Sequence, residues 1–205
     1  MKKRTKKILA WVGGIIGVLL IAAVIWSYFY IYKPNRLLEA MINNDQAEVI
    51  RLIDEEGYDP NMKFLGIVDI FTLYAVLPSP DIPINLDMIE ILRQKGVNLN
   101  NYPRDKNNNL NRAILFRNHM MLEYMLQHGI SPNITLSFNG DEISPIEFAL
   151  LVENYQAIDI LLKYNPSKEE KMLEKAYYRA LLCVQKKLCS PLLLDILPDE
   201  VSLSN

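Results

Sequence analysis

Apolar and polar positions follow two different patterns along the chain. Residues 8–32 are consecutive positions without a charged side chain, with the sequence ILAWVGGIIGVLLIAAVIWSYFYIY. At about 1.5 Å per residue, a helix of this length crosses the roughly 30 Å hydrocarbon layer of a bilayer with some tilt. Aromatic residues favour the boundary between lipid and water, and they lie near both ends. They are Trp11 at one end and Trp26, Tyr28, Tyr30 and Tyr32 at the other. The pattern predicts one transmembrane helix over residues 8–32.

The flanks of this segment bear on its processing and orientation. A cleaved secretory signal is the competing interpretation, but the run exceeds the about 7–15 residues of a signal's apolar region, and its distal end is aromatic. Five basic residues lie within residues 1–7, against Lys33 and Arg36 just after the span. The positive-inside rule therefore predicts an uncleaved signal-anchor with a cytoplasmic basic tail over residues 1–7. Binding of anionic lipid by this tail, or a role as a localisation signal, needs more assumptions.

The compartment of the main domain follows from this orientation. In a bacterium, the span lies in the inner (cell) membrane and the C-terminal domain is periplasmic. In a eukaryote, the domain faces the lumen or the cell exterior. Gly13 and Gly17 have a spacing that lets two membrane helices approach closely, and the alternative is that they simply face lipid.

After the span, apolar residues recur with a helical period. Four nine-residue stretches align without gaps, each with apolar residues at positions 1, 2, 4 and 5 and a final Gly or Asn. This pattern predicts amphipathic helices, each ended by a residue with left-handed backbone. The stretches are VIRLIDEEG (49–57), MIEILRQKG (88–96), MLEYMLQHG (121–129) and AIDILLKYN (157–165). In three of them, an Asn follows the Gly at a fixed offset, at Asn61, Asn100 and Asn133.

A shorter predicted helix precedes each of these stretches and contains a small residue. The small residues, which would let paired helices approach closely, are Ala40, Ala75, Ala113 and Ala149. The unit is therefore helix, short turn, helix and loop, with starts 33 to 39 residues apart. The sequence predicts an all-α fold over residues 33–167, with about four hairpins stacked in a solenoid.

A period near 33 with two helices and a turn resembles the ankyrin repeat. The stretch Ser144-Pro145-Ile146-Glu147-Phe148-Ala149 is similar to that family's Thr-Pro-Leu-His-x-Ala opening, although the His is replaced. MLEYMLQHGISPN, residues 121–133, resembles its second helix and exit. The second repeat departs most, with Pro78, Pro80 and Pro83 between its helices. The resemblance implies an ankyrin-like protein-binding fold; another helical-hairpin solenoid is the alternative.

Residues 168–205 are predicted to close the stack. Ser167 is a candidate N-cap for a helix that runs to about residue 188, with an apolar stripe comprising Met172, Leu173, Ala176, Tyr177, Ala180 and Leu181. Cys183 and Cys189 are the two cysteines of the chain. A disulfide between them requires the helix to end before Cys189, because one continuous helix holds that pair too far apart. Two buried free thiols are the alternative.

The charge of the chain is unevenly distributed. Six of the 22 Lys and Arg residues lie in residues 1–33, which contain no Asp or Glu. The other 172 residues therefore carry 16 basic and 24 acidic side chains, a net charge of −8. Nucleic-acid binding requires a basic face, so the main domain is not expected to bind nucleic acid.

Catalytic patterns are absent from the sequence. His119 and His128 are its two histidines and both lie within the repeat pattern, where structural roles are favoured. No nucleophile elbow, phosphate-binding glycine loop or zinc motif occurs. We therefore predict that the protein is not an enzyme and has no cofactor or metal.

The loops between units are the remaining candidate sites, since loops and inner helices line the binding surface of stacked hairpins. Aromatic and charged residues there are predicted to bind a partner. They are Lys63, Phe64, Tyr102, Arg104, Asp105, Phe138, Asp141 and Glu142. The alternative for Phe64 and Phe138 is that they fold back onto the stack.

Together these patterns predict a membrane-anchored module that binds another protein on the periplasmic side. A more specific hypothesis is an immunity-type protein that neutralises a secreted toxic enzyme, because the acidic surface suits a basic effector. A scaffold or assembly factor for a membrane complex is the alternative class. A ligand-binding domain would need a pocket of converging polar groups, which the sequence does not indicate.

Overall fold

The computed structural model describes residues 2–76, 84–100, 108–138, 141–167, 172–198 and 201–202, and these are mostly helical. The chain divides into two compact units. The first comprises Met1–Tyr74 and Asn85–Val97, and the second comprises Ala75–Ile84 and Asn98–Asn205.

The N-terminal part of the first unit is one unbroken helical run. Helix α1 (Lys2–Ser27) continues through a π-helical segment (Tyr28–Tyr32) into helix α2 (Lys33–Ile42). Among the residues that the structure describes, the run Gly14–Ile42 is long and apolar enough to cross a membrane. The predicted boundary at residues 32–33 is not a break in the helix. Pro34 is accommodated directly after the π-helical segment because the Tyr30 carbonyl, which would pair with the N–H that Pro34 lacks, accepts the N–H of Leu65 instead.

The four predicted amphipathic helices are present and begin two or three residues earlier than the patterns indicated. They are α3 (Gln46–Asp54), α4 (Leu86–Gln94), α6 (His119–Gln127) and α8 (Tyr155–Leu162). Each begins with an N-cap residue whose side-chain oxygen accepts a backbone N–H of the first turn, and these N-caps are Asp45, Asn85, Asn118 and Asn154 respectively. The predicted left-handed residues are confirmed, with φ of 66° at Gly57, 89° at Gly96, 87° at Gly129 and 51° at Asn165.

Three of the four shorter helices are α-helical, and the second is not. α2, α5 (Asn109–Leu115) and α7 (Pro145–Leu151) match the prediction. The segment around Ala75 is instead a π-helix, Thr72–Val76, capped by the carboxylate of Asp69. All four small residues are buried. α2 packs on α3, α5 on α6 and α7 on α8, while α5 also contacts α7 and α6 contacts α8.

The N-cap asparagines also join successive hairpins. Each uses its amide N–H₂ group to reach an oxygen about 40 residues earlier in the chain. Asn85 donates to the side-chain oxygen of Asn44 at 2.7 Å, Asn118 to the carbonyl of Ala75 at 2.8 Å, and Asn154 to the carbonyl of Ile114 at 2.7 Å. One side chain therefore begins a helix and holds the end of an earlier turn.

Short strands add to the predicted all-α architecture. β1 (Lys63–Phe64) pairs antiparallel with β2 (Val68–Asp69), and β3 (Leu136–Phe138) pairs antiparallel with β4 (Asp141–Ile143). β5 (Met172–Leu173) pairs parallel with β6 (Val201–Ser202). The first two pairs lie in loops that the sequence pattern left irregular.

The C-terminal helix is shorter than predicted. α9 spans Glu174–Gln185, rather than residues 168–188, and a 3₁₀-helix follows at Pro191–Ile196. Lys187 has a φ of 58°, which turns the chain back. Cys183 and Cys189 lie 5.5 Å apart at their Cα atoms and are joined by a disulfide. The helix thus ends before Cys189, as a bridge requires.

Candidate functional site

The first predicted loop pair, Lys63 and Phe64, forms one side of a tight β-hairpin. Leu65 and Gly66 turn the chain with φ of 53° and 72°, and the N–H of Ile67 donates to the carbonyl of Phe64 at 3.1 Å. Lys63 is exposed and Phe64 is half-buried. The hairpin therefore presents the ammonium group of Lys63 to its surroundings and partly covers the ring of Phe64.

This hairpin is attached to the apolar helix. The backbone N–H of Leu65 donates to the carbonyl of Tyr30 at 2.8 Å. In an α-helix that carbonyl would accept from the residue four positions later, which is Pro34 and has no N–H. A Cβ at Gly66 would lie 3.4 Å from the Tyr30 ring, so the turn sits directly against it. The π-helical segment and Pro34 thus create a place for the hairpin on the helix.

A groove of about 790 Å³ lies between the helix and the chain that leads into the hairpin. Its helix wall is apolar and aromatic, whereas its loop wall is mainly polar. The helix wall comprises Ala22, Ile25, Trp26, Phe29 and Tyr30, and the loop wall comprises Asp59, Asn61, Met62, Lys63 and Gly66. The amphipathic lining is suited to a ligand with one apolar and one polar end.

A network of two arginines and two glutamates joins α2 to α3 in the same unit. Arg36 contacts Glu48 at 2.9 Å and Glu56 at 3.0 Å, and Arg51 contacts the same carboxylates at 2.8 Å and 2.7 Å. The pKa of Glu48 is lowered to about 2, and the main cause is the hydrogen bond from Arg51. Desolvation raises this pKa, whereas the hydrogen bond from Arg36 lowers it further. Arg51 likewise lowers the pKa of Glu56.

Acid should weaken this network. A lowered folded-state pKa means that the contribution of Glu48 is complete above about pH 4.5 and is lost as the pH falls through about 2. We expect Glu48→Gln to lower the thermal midpoint at pH 6, with the difference from wild type shrinking between about pH 4.5 and 2. Thermal unfolding followed by circular dichroism measures this. Glu39→Gln, at an exposed carboxylate on α2, is the matched control, and an equal loss in it would contradict the assignment.

Lys33 and Tyr58 provide a second tie between the helical run and the rest of the first unit. The ammonium of Lys33 lies 4.4 Å from the ring centroid of Tyr58, in a cation–π arrangement. Tyr58 is buried, and burial raises the pKa of its phenol. Its backbone N–H donates to the carbonyl of Leu52 and closes the end of α3.

The predicted residues Phe138, Asp141 and Glu142 lie together in the second hairpin. Phe138 pairs with Asp141 across the strands, and Glu142 pairs with Ser137. The Phe138 ring packs edge-on against the buried ring of Phe148 at 5.5 Å, so this aromatic does fold back onto a helix. Asp141 and Glu142 are exposed. The hairpin therefore exposes carboxylates at its surface, while the Phe138 ring packs inward.

The third predicted loop, with Tyr102, Arg104 and Asp105, lies outside the described residues. The chain that follows it is described and contains buried asparagines. Asn108 caps α5, and Asn109 donates to the carbonyl of Leu99 at 3.1 Å. These two residues therefore have structural roles at the start of α5.

Sequence reasoning missed an exposed apolar face on α9. The buried stripe of this helix consists of Ala176, Ala180 and Cys183, and the predicted stripe residue Leu181 faces outward instead. The exposed surface consists of Tyr178, Leu181 and Leu182, and the exposed fraction is 60% for Tyr178 and 45% for Leu182. The segment AYYRALLCV has apolar residues on both helical faces, and this was the available signal.

Both histidines have structural partners in the second unit. The Nε2 atom of His119 lies 2.8 Å from the side-chain oxygen of Asn154. The Nδ1 atom of His128 lies 2.8 Å from the carbonyl of Tyr124, and its ring stacks on that of Tyr124. Within the described residues, no group of three or more His, Cys, Asp or Glu side chains is placed to hold a metal ion.

The chain matches no protein-family model and no curated protein. The residues and their geometry are therefore the basis for assigning a function.

Proposed function

We propose that this protein is a membrane-anchored protein-binding module whose folded part lies on the non-cytoplasmic side. The observation that carries the proposal is the exposed apolar face of α9, defined by Tyr178, Leu181 and Leu182. A terminal element of a helical stack needs a polar outer side to remain soluble. Contiguous exposed apolar side chains at such a place are typical of protein-interaction sites.

Anchoring and orientation are part of the proposal. The apolar run over residues 8–32 serves as an uncleaved signal-anchor, and the basic tail at residues 1–7 stays in the cytoplasm. The Cys183–Cys189 disulfide supports an exported domain, because disulfides persist in oxidising compartments such as the periplasm. The anchor then lies in the inner membrane of a bacterium.

An ankyrin-like solenoid is the architecture we propose for residues 33–167. The support is local: helix pairs in series, left-handed closing residues, and asparagine amides that join one hairpin to an earlier turn. Each hairpin is then a candidate binding element of its own unit: the one with Lys63 and Phe64 in the first unit, and the one with Asp141 and Glu142 in the second.

The most specific form of the proposal is an immunity-type protein that binds a basic secreted enzyme and neutralises it. The net charge of −8 outside residues 1–33 supports this choice, because opposite charge steers association and makes it dependent on salt. The apolar face of α9 would supply affinity, and exposed carboxylates such as Asp141 and Glu142 would supply steering.

The test is affinity capture from native extract with the full-length chain in detergent as bait, read by mass spectrometry at two salt concentrations. We expect Leu182→Glu to reduce recovery of the partner at least about tenfold, because a charge replaces an apolar contact. Leu115→Glu is the matched control, since this helical leucine of the same unit is also 45% exposed.

The outcomes separate the alternatives. One basic protein that is lost with Leu182→Glu and weakened by salt supports the neutralising partner. Equal recovery with both variants contradicts a role for the α9 face. Recovery of membrane proteins that depends on residues 8–32, tested by exchanging that span for an unrelated one, favours a scaffold for a membrane complex.

A further inference from the structure

The β-hairpin attached to the apolar helix has an exposed apolar tip. Leu65 is 41% exposed and Ile67 is 71% exposed, on either side of Gly66. Leu65 also has a left-handed φ of 53°, a conformation that disfavours a leucine. Among the described residues, it is the one apolar side chain with a positive φ, since the others are polar, charged or glycine. Packing within the first unit does not account for an apolar residue in this place.

The position of the tip suggests what it contacts. The tip is bonded to Tyr30 at 2.8 Å, and Tyr30 belongs to the group of aromatic residues that marks one end of the apolar run. Tyrosine and tryptophan favour the lipid–water boundary, so a hairpin held against Tyr30 lies at that level. Leu65 and Ile67 then face the interfacial region of the leaflet on the side of the folded domain.

The groove beside the hairpin continues this surface inward. Its lining extends from Tyr30 to Ala22, which is about 12 Å of helix at 1.5 Å per residue. The deep end is formed by Ala22 and Ile25, and Phe29 lies nearer the hairpin; all three belong to a helix that faces hydrocarbon if it spans a bilayer. Water is excluded from such a place, and an acyl chain is the apolar molecule available to fill it.

The mouth of the groove contains both signs of charge. Lys63 is an exposed cation, and Asp59 is an exposed carboxylate that accepts the backbone N–H of Asn61 at 2.8 Å. A phosphate pairs with the first and a headgroup amine with the second. A lipid with both groups matches the mouth better than an anionic lipid, which would meet the Asp59 carboxylate.

From these observations, and resting on the membrane anchor of the proposed function, we propose a second membrane contact. The tip Leu65–Ile67 inserts into the interfacial region of the leaflet on the side of the folded domain. The groove holds one zwitterionic phospholipid of that leaflet, with its acyl chain against Ala22, Ile25 and Phe29 and its headgroup between Asp59 and Lys63.

The depth of the tip can be measured with spin labels on the full-length chain in vesicles of phosphatidylethanolamine and phosphatidylcholine. Both native cysteines are bridged, so a single introduced cysteine is labelled under non-reducing conditions. The variants are Ile67→Cys and Leu65→Cys, and the control is Leu86→Cys, a leucine of the same unit with 38% exposure. We expect collisions with oxygen, relative to a soluble nickel chelate, to be several-fold more frequent at positions 65 and 67 than at position 86.

Two results from the labels would overturn the insertion. Frequent nickel collisions at position 67, equal to those at position 86, would place the tip in water. Infrequent collisions with both reagents would place it under protein, such as a second copy of the chain or a partner.

Groove occupancy has its own matched pair of variants. Ala22 lines the groove, whereas Ala23 is an equally small exposed residue of the same helix outside that lining. In native mass spectrometry from detergent, we expect one retained phospholipid on wild type and on Ala23→Trp, and a several-fold loss on Ala22→Trp. Equal retention in all three would rule out the groove as the site.

Failure of this inference is distinguishable from failure of the proposed function. Release of the protein from vesicles by alkaline carbonate would show that residues 8–32 do not anchor it, and this result would contradict both proposals. Firm membrane retention with a water-exposed tip would overturn the lipid contact alone and would leave partner capture through the α9 face intact.

Discussion

Replacement of Asn154 by alanine is expected to destabilise the second unit by about 2–4 kcal/mol. Loss of an N-cap costs about 1 kcal/mol, and loss of each of the two further hydrogen bonds, to the Ile114 carbonyl and to His119, costs about 0.5–1.5 kcal/mol. Asn154 is almost fully buried. Its oxygen accepts from the Ala157 N–H at 3.2 Å and lies 2.8 Å from His119, while its nitrogen donates to Ile114. The measurement is urea unfolding of the full-length chain in detergent, followed by near-ultraviolet circular dichroism of its tyrosines.

Asn154→Ser separates the two roles of this side chain. Serine is a good N-cap, so it keeps the bond from the Ala157 N–H but cannot reach the carbonyl of Ile114. We expect an intermediate loss, smaller than that of Asn154→Ala by about 1 kcal/mol. Equal losses for the two variants would mean that the cap contributes nothing, and a loss below about 1 kcal/mol for alanine would contradict the role of the donor.

Ala149→Leu is expected to destabilise the same unit by about 1–3 kcal/mol, because the site has no room for three more carbon atoms. Ala149 is fully buried, and its helix α7 packs against α5, α8 and α9. Urea unfolding under the same conditions measures the effect. Ala47→Leu, at an exposed position of α3, is the matched control and is expected to change stability by no more than about 0.5 kcal/mol. Unchanged stability in Ala149→Leu would show that α7 does not pack as closely as described.

The helices that end each hairpin could be predicted from local sequence. Their apolar residues recur with a helical period, and Gly57, Gly96, Gly129 and Asn165 each supply the left-handed residue that ends a helix. The starts were placed too late because the apolar pattern begins only after the first turn. The polar residues Asp45 and Asn154 and their equivalents mark the true starts, and capping preference was the signal for them.

The repeated asparagines had a recognisable spacing but no role that sequence could assign. Asn61 donates to the carbonyl of Gly96 at 3.0 Å, and Asn100 accepts from the Leu110 N–H at 3.1 Å. Asn133 accepts from the Ser167 N–H at 2.7 Å. Each bond depends on where a distant segment lies, which a local pattern does not contain. The sequence marked the positions, and only the fold gives their partners.

The groove and the α9 face were beyond the sequence for different reasons. The groove requires Lys63 to lie beside Trp26 and Tyr30, and strands as short as Lys63–Phe64 show no alternation that predicts a hairpin. On α9, apolar residues surround the helix, so periodicity does not distinguish the buried face. Leu181 was assigned to the wrong face for this reason.

The helical run from α1 through the π-helical segment into α2 is unbroken, so it fixes the rotation of α2 about the helix axis relative to α1, which a flexible linker would not do. A helix turns by about 100° for each residue, so one residue inserted between Ser27 and Lys33 would rotate α2 by that angle relative to α1. Seven inserted residues would nearly restore the original phase. The direction in which α2 and its partner α3 face thus depends on the number of residues between Ser27 and Lys33. Rotation of the apolar helix about its axis would rotate α2 and α3 with it.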